Sequence, residues 1–244
     1  MCAASIPPEQ QSFEAMREMF SRIAPRYALV TRLLSFGCDQ RWKERAIQSV
    51  SFEAGDRMLD LACGTGDFSR MALARAPRVR VTSADVTPEM VSACRAAGLD
   101  AICAAAEDLP FRDASFTHVF VGYGVRNFAD KHRGLQEIKR VLKPGGTLIV
   151  LDMFLPERRP VRVAFLAYLL FYGGFLGLMF HGRPRTYTYI ADSVRTFFTC
   201  NGFAAQLALL GFSVAQRRTF APGVALVVAA REDAQEGAQS LARN

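Results

Sequence analysis

The stretch from Asp60 to Asp67 combines residue types that can hold a nucleotide-like ligand. It follows an apolar segment that begins at Met58, and a buried strand that enters a helix through a glycine-rich turn brings backbone amides close to such a ligand. Gly64 and Gly66 can adopt positive φ and place no Cβ between the turn and the ligand. The alternative is an ordinary tight turn between a strand and a helix.

Two residues of this turn indicate which nucleotide it suits. A dinucleotide-binding loop has a third glycine where this chain has Ser69, and Asp67 would stand close to a pyrophosphate and repel it. An acidic residue at the mouth of the loop suits a ligand with cationic groups, and S-adenosylmethionine carries an ammonium and a sulfonium. The loop therefore favours S-adenosylmethionine over NAD or FAD.

Further candidate residues lie at the ends of other predicted strands. Asp85 ends the second strand, where a carboxylate can accept hydrogen bonds from both hydroxyls of a ribose; the alternative is that it caps the helix that follows Thr87. Ala105 and Ala106 end the third strand and offer small side chains and backbone groups to an adenine edge. Gly122 ends the fourth strand, at the level expected for a reacting methyl group.

Alternating strands and helices must position these residues. The spacing predicts a mostly parallel α/β sheet with helices on both faces. Predicted strands cover residues 58–62, 79–84, 101–105, 116–121 and 147–153, and predicted helices cover 68–74, 88–97 and 131–142, with a turn at 143–146. A helix around 194–210 precedes two strands, 213–219 and 224–230, that are close enough to pair as a hairpin. Ligands of such sheets bind at the carboxyl ends of the strands, near the switch in strand order.

The length favours a single domain over residues 12–230, with a helical preface at 12–50 and an apolar lid at 160–185. We expect the ends, 1–11 and 231–244, to be disordered. The six cysteines are scattered without a Cys-x-x-Cys pair, which predicts neither a disulfide framework nor a metal site. The first residues lack the basic start and apolar core of a secretory signal, so we expect a cytoplasmic protein.

Basic residues exceed acidic ones, 30 to 23, for a net charge of +7. One concentration of arginine and lysine lies at 17–45, and a second, at 158–185, flanks the most apolar segment of the chain. This arrangement fits lipid headgroups better than nucleic acid, because aromatic residues for base stacking are not interleaved with the basic ones. The alternative is a set of solvated arginines, and the sequence leaves open whether the protein is a homodimer.

The segment 163–180 contains no charged residue and must be buried against something. It is short for a membrane span, and a single crossing would separate the last two strands from the sheet they must join. We interpret it as two short helices, interrupted at Gly173 and Gly174, that form a lid. One face would pack on the core and the other would be available to an apolar ligand or to the inner face of the cell membrane; a wholly internal helical hairpin is the alternative.

With these motifs identified, the chain resembles the ubiquinone/menaquinone biosynthesis C-methyltransferases (the UbiE/MenG type), within the class I S-adenosylmethionine-dependent methyltransferases. The resemblance extends from about residue 19 to residue 230. Six segments carry it: 19–27, 60–67, 106–111, 123–127, 140–146 and 187–194. The loop 60–67 alone would indicate only a methyltransferase, whereas the segments 19–27 and 123–127 are typical of this family.

The resemblance implies a Rossmann-like class I methyltransferase fold, with a seven-stranded, mostly parallel sheet that ends in an antiparallel hairpin. It implies methylation of the ring of a lipid-tailed quinol, a demethylmenaquinol or a ubiquinol precursor, in respiratory quinone biosynthesis. The family often has Asn at the position of Ala105 and Ser at that of Gly122. The implied cofactor-binding residues are Thr65, Asp85, Ala105, Ala106 and Gly122, with Asp60, Gly64 and Gly66 shaping the pocket.

The same resemblance implies a catalytic set of Arg126, Asn127 and Tyr27. Arg126 is a poor base at its normal pKa, so its expected role is to stabilise a phenolate or to orient a water molecule. Asn127 and Tyr27 would hydrogen-bond the ring oxygens. The alternative for Arg126 and Asn127 is that they cap the helix that follows them.

Three alternatives remain open at this stage. The acceptor could be another apolar small molecule, such as a polyketide, a sterol or a phospholipid headgroup, or the chain could be a non-catalytic protein of the membrane surface. An RNA methyltransferase fits the basic charge but not the apolar lid. His181, at the end of the lid, is an alternative base, and His118 and His132 are expected to be structural.

Overall fold

The computed structural model describes residues 20–21, 23 and 26–232, except for the side chain of Tyr27. Two segments were predicted to be disordered, 1–11 and 231–244. The first lies outside the described residues, as do residues 233–244 and much of the helical preface before residue 26, but Arg231 is the last residue of a strand, so the predicted start of the second segment is wrong. The division of the chain into one domain with a lid therefore stays a prediction.

In the described residues, seven strands form one sheet in the order β3-β2-β1-β4-β5-β7-β6. Neighbouring strands are parallel, except that β7 runs antiparallel to both β5 and β6. The predicted mostly parallel sheet with a C-terminal hairpin is thus confirmed. The strands are β1 (Arg57–Leu61), β2 (Arg80–Asp85), β3 (Ala101–Cys103), β4 (Phe116–Gly122), β5 (Leu142–Met153), β6 (Phe212–Ala221) and β7 (Val224–Arg231).

Helices cover both faces of this sheet. They are α1 (Tyr27–Leu34), α2 (Asp39–Ile47), α3 (Asp67–Arg75), α4 (Pro88–Ala96), α5 (Lys131–Val141), α6 (Arg159–His181), α7 (Arg185–Arg195) and α8 (Cys200–Leu209). A 3-10 turn spans Val125–Asn127. On strands β1, β4 and β5 successive side chains enter opposite cores: Leu59, Val119 and Val150 face α5 and α8, while Met58, Phe120 and Ile149 belong to the core with α2, α3, α6 and α7.

Three predicted elements differ from the observed ones, and the first two are a helix and a turn. The helix expected around 194–210 is two helices, because α7 ends at Arg195 and Thr199 caps a new helix by accepting a hydrogen bond from the Gly202 amide at 3.1 Å. The turn expected at 143–146 lies within β5. Its extra length is absorbed by a shift in the pairing with β4 between Phe116 and His118, so the Pro-Gly-Gly segment forms an irregularity in a strand and not a separate turn.

The prediction of two short helices over 163–180 is wrong, because α6 is one helix of 23 residues. Its glycines do not interrupt it. A Cβ on Gly173 would lie 3.2 Å from the Tyr187 carbonyl oxygen, and one on Gly177 would lie 2.6 Å from that of Arg183. The glycines therefore let α7 pack closely along α6. By length and composition α6 could cross a membrane, but β7 returns to pair with the end of β5, which ties both ends of the helix to one sheet.

Candidate cofactor and active site

The strand order reverses between β1 and β4, which are neighbours although β2 and β3 lie between them in sequence. The residues that follow these strands, Ala62 and Tyr123, have φ of +53° and +57°. Non-glycine residues rarely adopt this conformation, and it concentrates at functional sites. A Cβ on Gly124 would lie 2.6 Å from the Cβ of Ala62, so the two turns pack directly against each other. This switch point is where open α/β sheets bind ligands.

The loop after β1 has the backbone that the sequence analysis expects. Gly64 and Gly66 have φ of +54° and +79°, and α3 begins immediately afterwards at Asp67. A Cβ on Gly66 would overlap the side chain of Leu99 and lie 3.0 Å from the sulfur of Cys94, so the glycine is needed for space as well as for conformation. Thr65 lines a cleft next to this loop, with Gly64 and Asp67.

Asp60 supports this loop from below, at a position that is almost fully buried. Its carboxylate accepts hydrogen bonds from the backbone amide of Ser69 at 3.0 Å and from the Ser69 hydroxyl at 2.7 Å. The same hydroxyl lies 2.7 Å from that of Ser83 on β2. Burial raises the pKa of Asp60 to about 7. Ser69, which stands where a dinucleotide-binding loop would have glycine, thus joins β1, β2 and α3.

Asp85 connects the loop to the end of β2. One carboxylate oxygen accepts a hydrogen bond from the Gly64 amide and the other accepts one from the Thr87 amide, each at 2.9 Å. Asp85 is buried, which raises its pKa, and it lines a pocket at the switch point of the strand order. Thr87 is the N-cap residue of α4. By accepting a hydrogen bond from its amide, Asp85 fixes the start of α4 and also borders the pocket.

A pocket of about 700 Å³, part of it open to solvent, occupies the switch point. Its wall combines residues from the ends of four strands with Phe20 from the N-terminal segment; they include Ala62, Asp85, Ala104, Ala106, Gly122 and Asn127. Ala106 is therefore at the predicted place. Ala105 lies in the same turn, where its carbonyl oxygen accepts a hydrogen bond from the Asp108 amide at 3.3 Å, and its two neighbours border the pocket.

The cleft beside this pocket pairs Asp67 with Lys43, a residue that the sequence analysis did not assign to the site. The Lys43 ammonium, on α2, lies 2.6 Å from the Asp67 carboxylate and 3.3 Å from that of Asp39. It also lies 5.9 Å from the centre of the Tyr123 ring. Burial opposes ionisation of Asp67, but Lys43 and Arg70 outweigh it and lower its pKa. The spacing of Asp39 and Lys43, four residues apart on a helix, was the available signal.

Gly122 has a structural explanation that the sequence did not provide. A Cβ at this position would lie 2.6 Å from Cε2 of Phe68, so the Phe68 ring occupies the space that a serine side chain would need. The ring packs against Phe120 with the ring centres 5.4 Å apart. The glycine and the phenylalanine thus form one packing unit between β4 and α3.

Arg126 and Asn127 lie in the 3-10 turn after β4, but their side chains take different directions. Arg126 is only 6 % exposed, and its Nη1 donates to Asp152 Oδ1 at 2.5 Å and to the Tyr123 carbonyl at 2.8 Å. Asn127 donates from Nδ2 to the same carbonyl at 3.2 Å and borders the pocket. Neither residue caps the next helix, because Asp130 is the cap of α5. The side chain of Tyr27 lies outside the described residues.

Asp152 is a second residue that the sequence analysis missed. It is fully buried on β5 and bonds both the guanidinium and, at 3.3 Å, the backbone amide of Arg126. The available signal was an acidic residue in the apolar run that forms the end of β5, next to the ends of β1 and β2, where Asp60 and Asp85 stand. Asp60 and Asp85 were predicted as site residues near the ends of their strands, but the corresponding aspartate of β5 was not.

The histidines lie away from the pocket wall. His118, in mid-strand, is 3.2 Å from Asp56, and His132 is exposed at the start of α5, 3.0 Å from Gln136. His181, at the end of α6, lies 2.8 Å from the buried hydroxyl of Tyr187. In the described part of the chain, no group of three or more His, Cys, Asp or Glu residues is arranged to hold a metal ion.

Solved structures share this fold. The chain aligns with one chain of the complex titled 'Complex between the Haloferax volcanii Trm112 methyltransferase activator and the putative methyltransferase', with a TM-score of 0.66 and 22 % identity, covering 88 % of this chain and 98 % of that one. It also aligns with an S-adenosylmethionine-dependent methyltransferase from Thermotoga maritima, with a TM-score of 0.62 and 20 % identity, covering 89 % and 100 %. These likenesses concern the fold.

Relatives identified by sequence share a higher identity with this chain than these solved structures do. The chain is 42 % identical over 202 residues to the demethylmenaquinone methyltransferase of Thermus thermophilus, covering 80 % of this chain and 92 % of the relative. It is 35 % identical over 223 residues to the ubiquinone/menaquinone biosynthesis C-methyltransferase UbiE of Geotalea daltonii, covering 88 % and 94 %. Residues 9–231 match the model of the ubiE/COQ5 methyltransferase family. The resemblance drawn from the six segments is confirmed, and the chain belongs to the ubiE/COQ5 methyltransferase family.

Proposed function

We propose that this protein is an S-adenosylmethionine-dependent C-methyltransferase that methylates the ring of a prenylated quinol in respiratory quinone biosynthesis. The observation that carries the proposal is one apolar pocket whose wall joins Asp85, at the cofactor end, to Asn127, at the end expected for the acceptor. The names of the relatives support the acceptor class, a demethylmenaquinol or a ubiquinol precursor. The enzyme would act in the cytoplasm, at the inner face of the cell membrane.

The residues present fit S-adenosylmethionine. Asp85 keeps carboxylate lone pairs beside the pocket for a ribose, and Ala106 leaves room for an adenine. The neighbouring cleft holds both signs of charge, with Lys43 suited to a carboxylate and Asp67 to an ammonium. When bound, S-adenosylmethionine supplies an electrophilic methyl group on a sulfonium. Thr65, Gly64, Gly66 and Asp60 shape the loop between these two groups.

The acceptor end depends on the turn after β4. Asn127 can hydrogen-bond a ring oxygen from the pocket wall, and fixing the ring in this way contributes to catalysis by orientation. Arg126 acts as a positioning residue, because it and Asn127 hold the same Tyr123 carbonyl. Its charge, balanced by Asp152, also favours a developing phenolate nearby. Tyr27 remains the candidate second partner for the ring oxygens.

Transfer of a labelled methyl group tests the proposal. The protein is incubated with methyl-labelled S-adenosylmethionine and a detergent-solubilised demethylquinol extract, and the product is analysed by mass spectrometry. We expect one methyl group on the ring carbon. Labelling of a polyketide, sterol or phospholipid acceptor in place of the quinol would contradict the acceptor assignment, and failure to bind the cofactor by calorimetry would contradict the enzyme assignment.

Variants separate the roles of the two residues after β4. Asn127→Ala is expected to lower turnover while cofactor affinity stays near that of the parent protein. Arg126→Ala is expected to lower turnover together with thermal stability, since it leaves Asp152 buried and unpaired, a loss of about 3–5 kcal/mol for such a pair. An Arg126→Ala protein that binds cofactor and retains full turnover would overturn the role of Arg126.

A further inference from the structure

Helix α6 presents large apolar side chains to solvent along most of its length. Phe171 is 80 % exposed, and Phe175, Leu178 and Met179 are each more than half exposed. These four residues, which we call the apolar stripe, lie on one side of the helix. The opposite side, which includes Leu169 and Leu176, is buried against the sheet and α7. Several large apolar side chains exposed side by side mark an interaction surface.

The turn between α1 and α2 extends the apolar stripe. Phe36 is 75 % exposed and adopts a φ of +49°, an uncommon conformation for a bulky residue. Its ring stacks on Tyr172 at 5.7 Å, and Tyr172 in turn stacks on Phe175 at 6.4 Å. The Tyr168 hydroxyl donates to the Leu34 carbonyl at 2.7 Å and ties this turn to α6. A strained backbone thus holds an aromatic ring in line with the helix, on the solvent side.

Charge at the two ends of α6 indicates the kind of partner. Arg158 and Arg159 precede the body of the helix, Arg183 and Arg185 follow it, and all four are exposed. Residues 158–191 contain no acidic side chain. Aromatic and aliphatic side chains between clusters of arginine match the boundary of an anionic bilayer, where the apolar groups enter the acyl region and the guanidinium groups meet phosphates.

We propose that the apolar stripe and Phe36 form a docking surface for an anionic lipid bilayer, with α6 lying in the plane of the membrane. The topology requires this orientation, because α7 folds back along α6 and β7 pairs with β5, the strand that precedes α6. Only one side of the helix is therefore available to lipid. The charge complementarity at both ends favours lipid over a second copy of this chain, which carries the same arginines.

This surface is structurally linked to the pocket. Phe20, on the pocket wall, packs edge-to-face on Tyr189 of α7 at 6.0 Å, and Arg26 donates to the carbonyl of Phe180 near the end of α6. The biological purpose of the docking surface rests on the proposed function, because a prenylated acceptor resides in the bilayer and would enter the pocket from it. The binding of lipid does not depend on catalysis and can be measured without it.

Vesicle sedimentation tests the docking surface. The full chain is mixed with vesicles of equimolar phosphatidylcholine and phosphatidylglycerol, and the bound fraction is compared for three proteins: the parent, the double variant Phe171→Ser with Phe175→Ser, and the control Leu209→Ser. Leu209 is 83 % exposed on α8, outside the surface. We expect the double variant to partition into the vesicles at least about tenfold less than the parent, because it lacks the two rings that would enter the bilayer. The control is expected to match the parent.

A charge variant tests the second part of the proposal. Arg183→Gln with Arg185→Gln is expected to weaken binding to the anionic vesicles but not the residual binding to pure phosphatidylcholine, and added salt should reduce the difference. Equal binding by the parent and the double variant would overturn the proposal. So would sedimentation equilibrium that shows a dimer in the parent, a monomer in the double variant and no vesicle binding by either, because a second copy would then cover the stripe.

Methyl transfer in detergent keeps this result apart from the proposed function. The double variant is expected to retain the parent's rate with a detergent-solubilised quinol, since neither residue lines the pocket. Vesicle binding without methylation of any quinol would leave the docking surface intact and contradict the proposed function. Methylation of a quinol without any vesicle binding would support the proposed function and contradict the docking surface.

Discussion

Three buried aspartates stand at or near the carboxyl ends of three strands, and each holds a turn beside the pocket. Asp60 bonds the first turn of α3, Asp85 bonds the amides of Gly64 and Thr87, and Asp152 bonds the turn that carries Arg126. Burying a carboxylate is costly unless backbone amides or a cation compensate it. The three side chains therefore connect the turns to the sheet at fixed positions and give the pocket its shape before any ligand binds.

The raised pKa of Asp60 predicts how stability changes with pH. The pKa of Asp60 is about 7 in the folded state against an ordinary 3.8, so the folded state binds the proton more tightly than the unfolded state. The resulting contribution to the free energy of unfolding is complete below pH 4 and is lost as pH rises to 7. The loss amounts to roughly 4 kcal/mol. In urea unfolding, Asp60→Asn should gain stability relative to the parent protein as pH rises across this window. Parallel pH profiles for the two proteins would contradict the shift.

The contact between Gly122 and Phe68 predicts the effect of the residue that the family often has here. Gly122→Ser should lower stability by about 1–3 kcal/mol and weaken cofactor binding, because the new side chain displaces the Phe68 ring. Adding Phe68→Leu should recover part of both losses. A double-mutant cycle by urea unfolding and calorimetry measures the coupling between the two positions. Additive effects would show that the ring does not exclude the serine.

At the scale of elements, two of the segments that carry the family resemblance meet through one arginine. Arg140, at the end of α5, donates to the carbonyls of Leu109 at 2.9 Å and Phe111 at 2.7 Å. Glu137, one turn earlier, accepts from the Leu109 amide at 2.9 Å. The loop after β3 therefore takes its conformation from α5, on the other side of the strand order reversal, and this contact keeps Ala106 at the pocket wall.

The glycines of α6 make a second prediction at this scale. Gly174→Ala should be neutral or stabilising by up to about 1 kcal/mol, because its Cβ would lie 3.7 Å from Thr188 and alanine favours the helix. Gly177→Ala should be destabilising by about 1–3 kcal/mol, because its Cβ would lie 2.6 Å from the Arg183 carbonyl oxygen and 2.8 Å from that of Pro184. Urea unfolding of the matched pair tests the packing, and equal effects would contradict it.

At the scale of the whole molecule, one ligand would contact the ends of several strands and so stabilise the entire sheet. At a concentration one hundred times its Kd, S-adenosylmethionine or S-adenosylhomocysteine should add about 2.7 kcal/mol to the free energy of unfolding. Scanning calorimetry should show the shift for both compounds. NAD is the negative control, and stabilisation by NAD would contradict the assignment of the loop. Asp85→Asn, which removes the carboxylate proposed to hold the ribose, should reduce the shift.

The order of the elements, the glycine-rich turn after β1 and the family can all be read from the amino-acid sequence alone. Each of these depends on local patterns: short apolar runs at β1 and β4, the glycines at 64 and 66, and short segments with characteristic residues. The boundaries of most strands and helices followed for the same reason. The placement of Asp85 at the pocket also followed, because parallel strands must end at the same edge of a sheet.

The partners of the remaining residues become visible only in the folded chain. The pairing of Arg126 with Asp152, the filling of the space beside Gly122 by Phe68, and the meeting of Lys43 with Asp67 each join segments far apart in the chain. The continuity of α6 is of the same kind. Its glycines look like interruptions in the sequence, but the backbone of α7 packs against them, and glycine permits that close approach while the hydrogen bonds of the helix continue. Such contacts depend on topology and register, which local patterns do not encode.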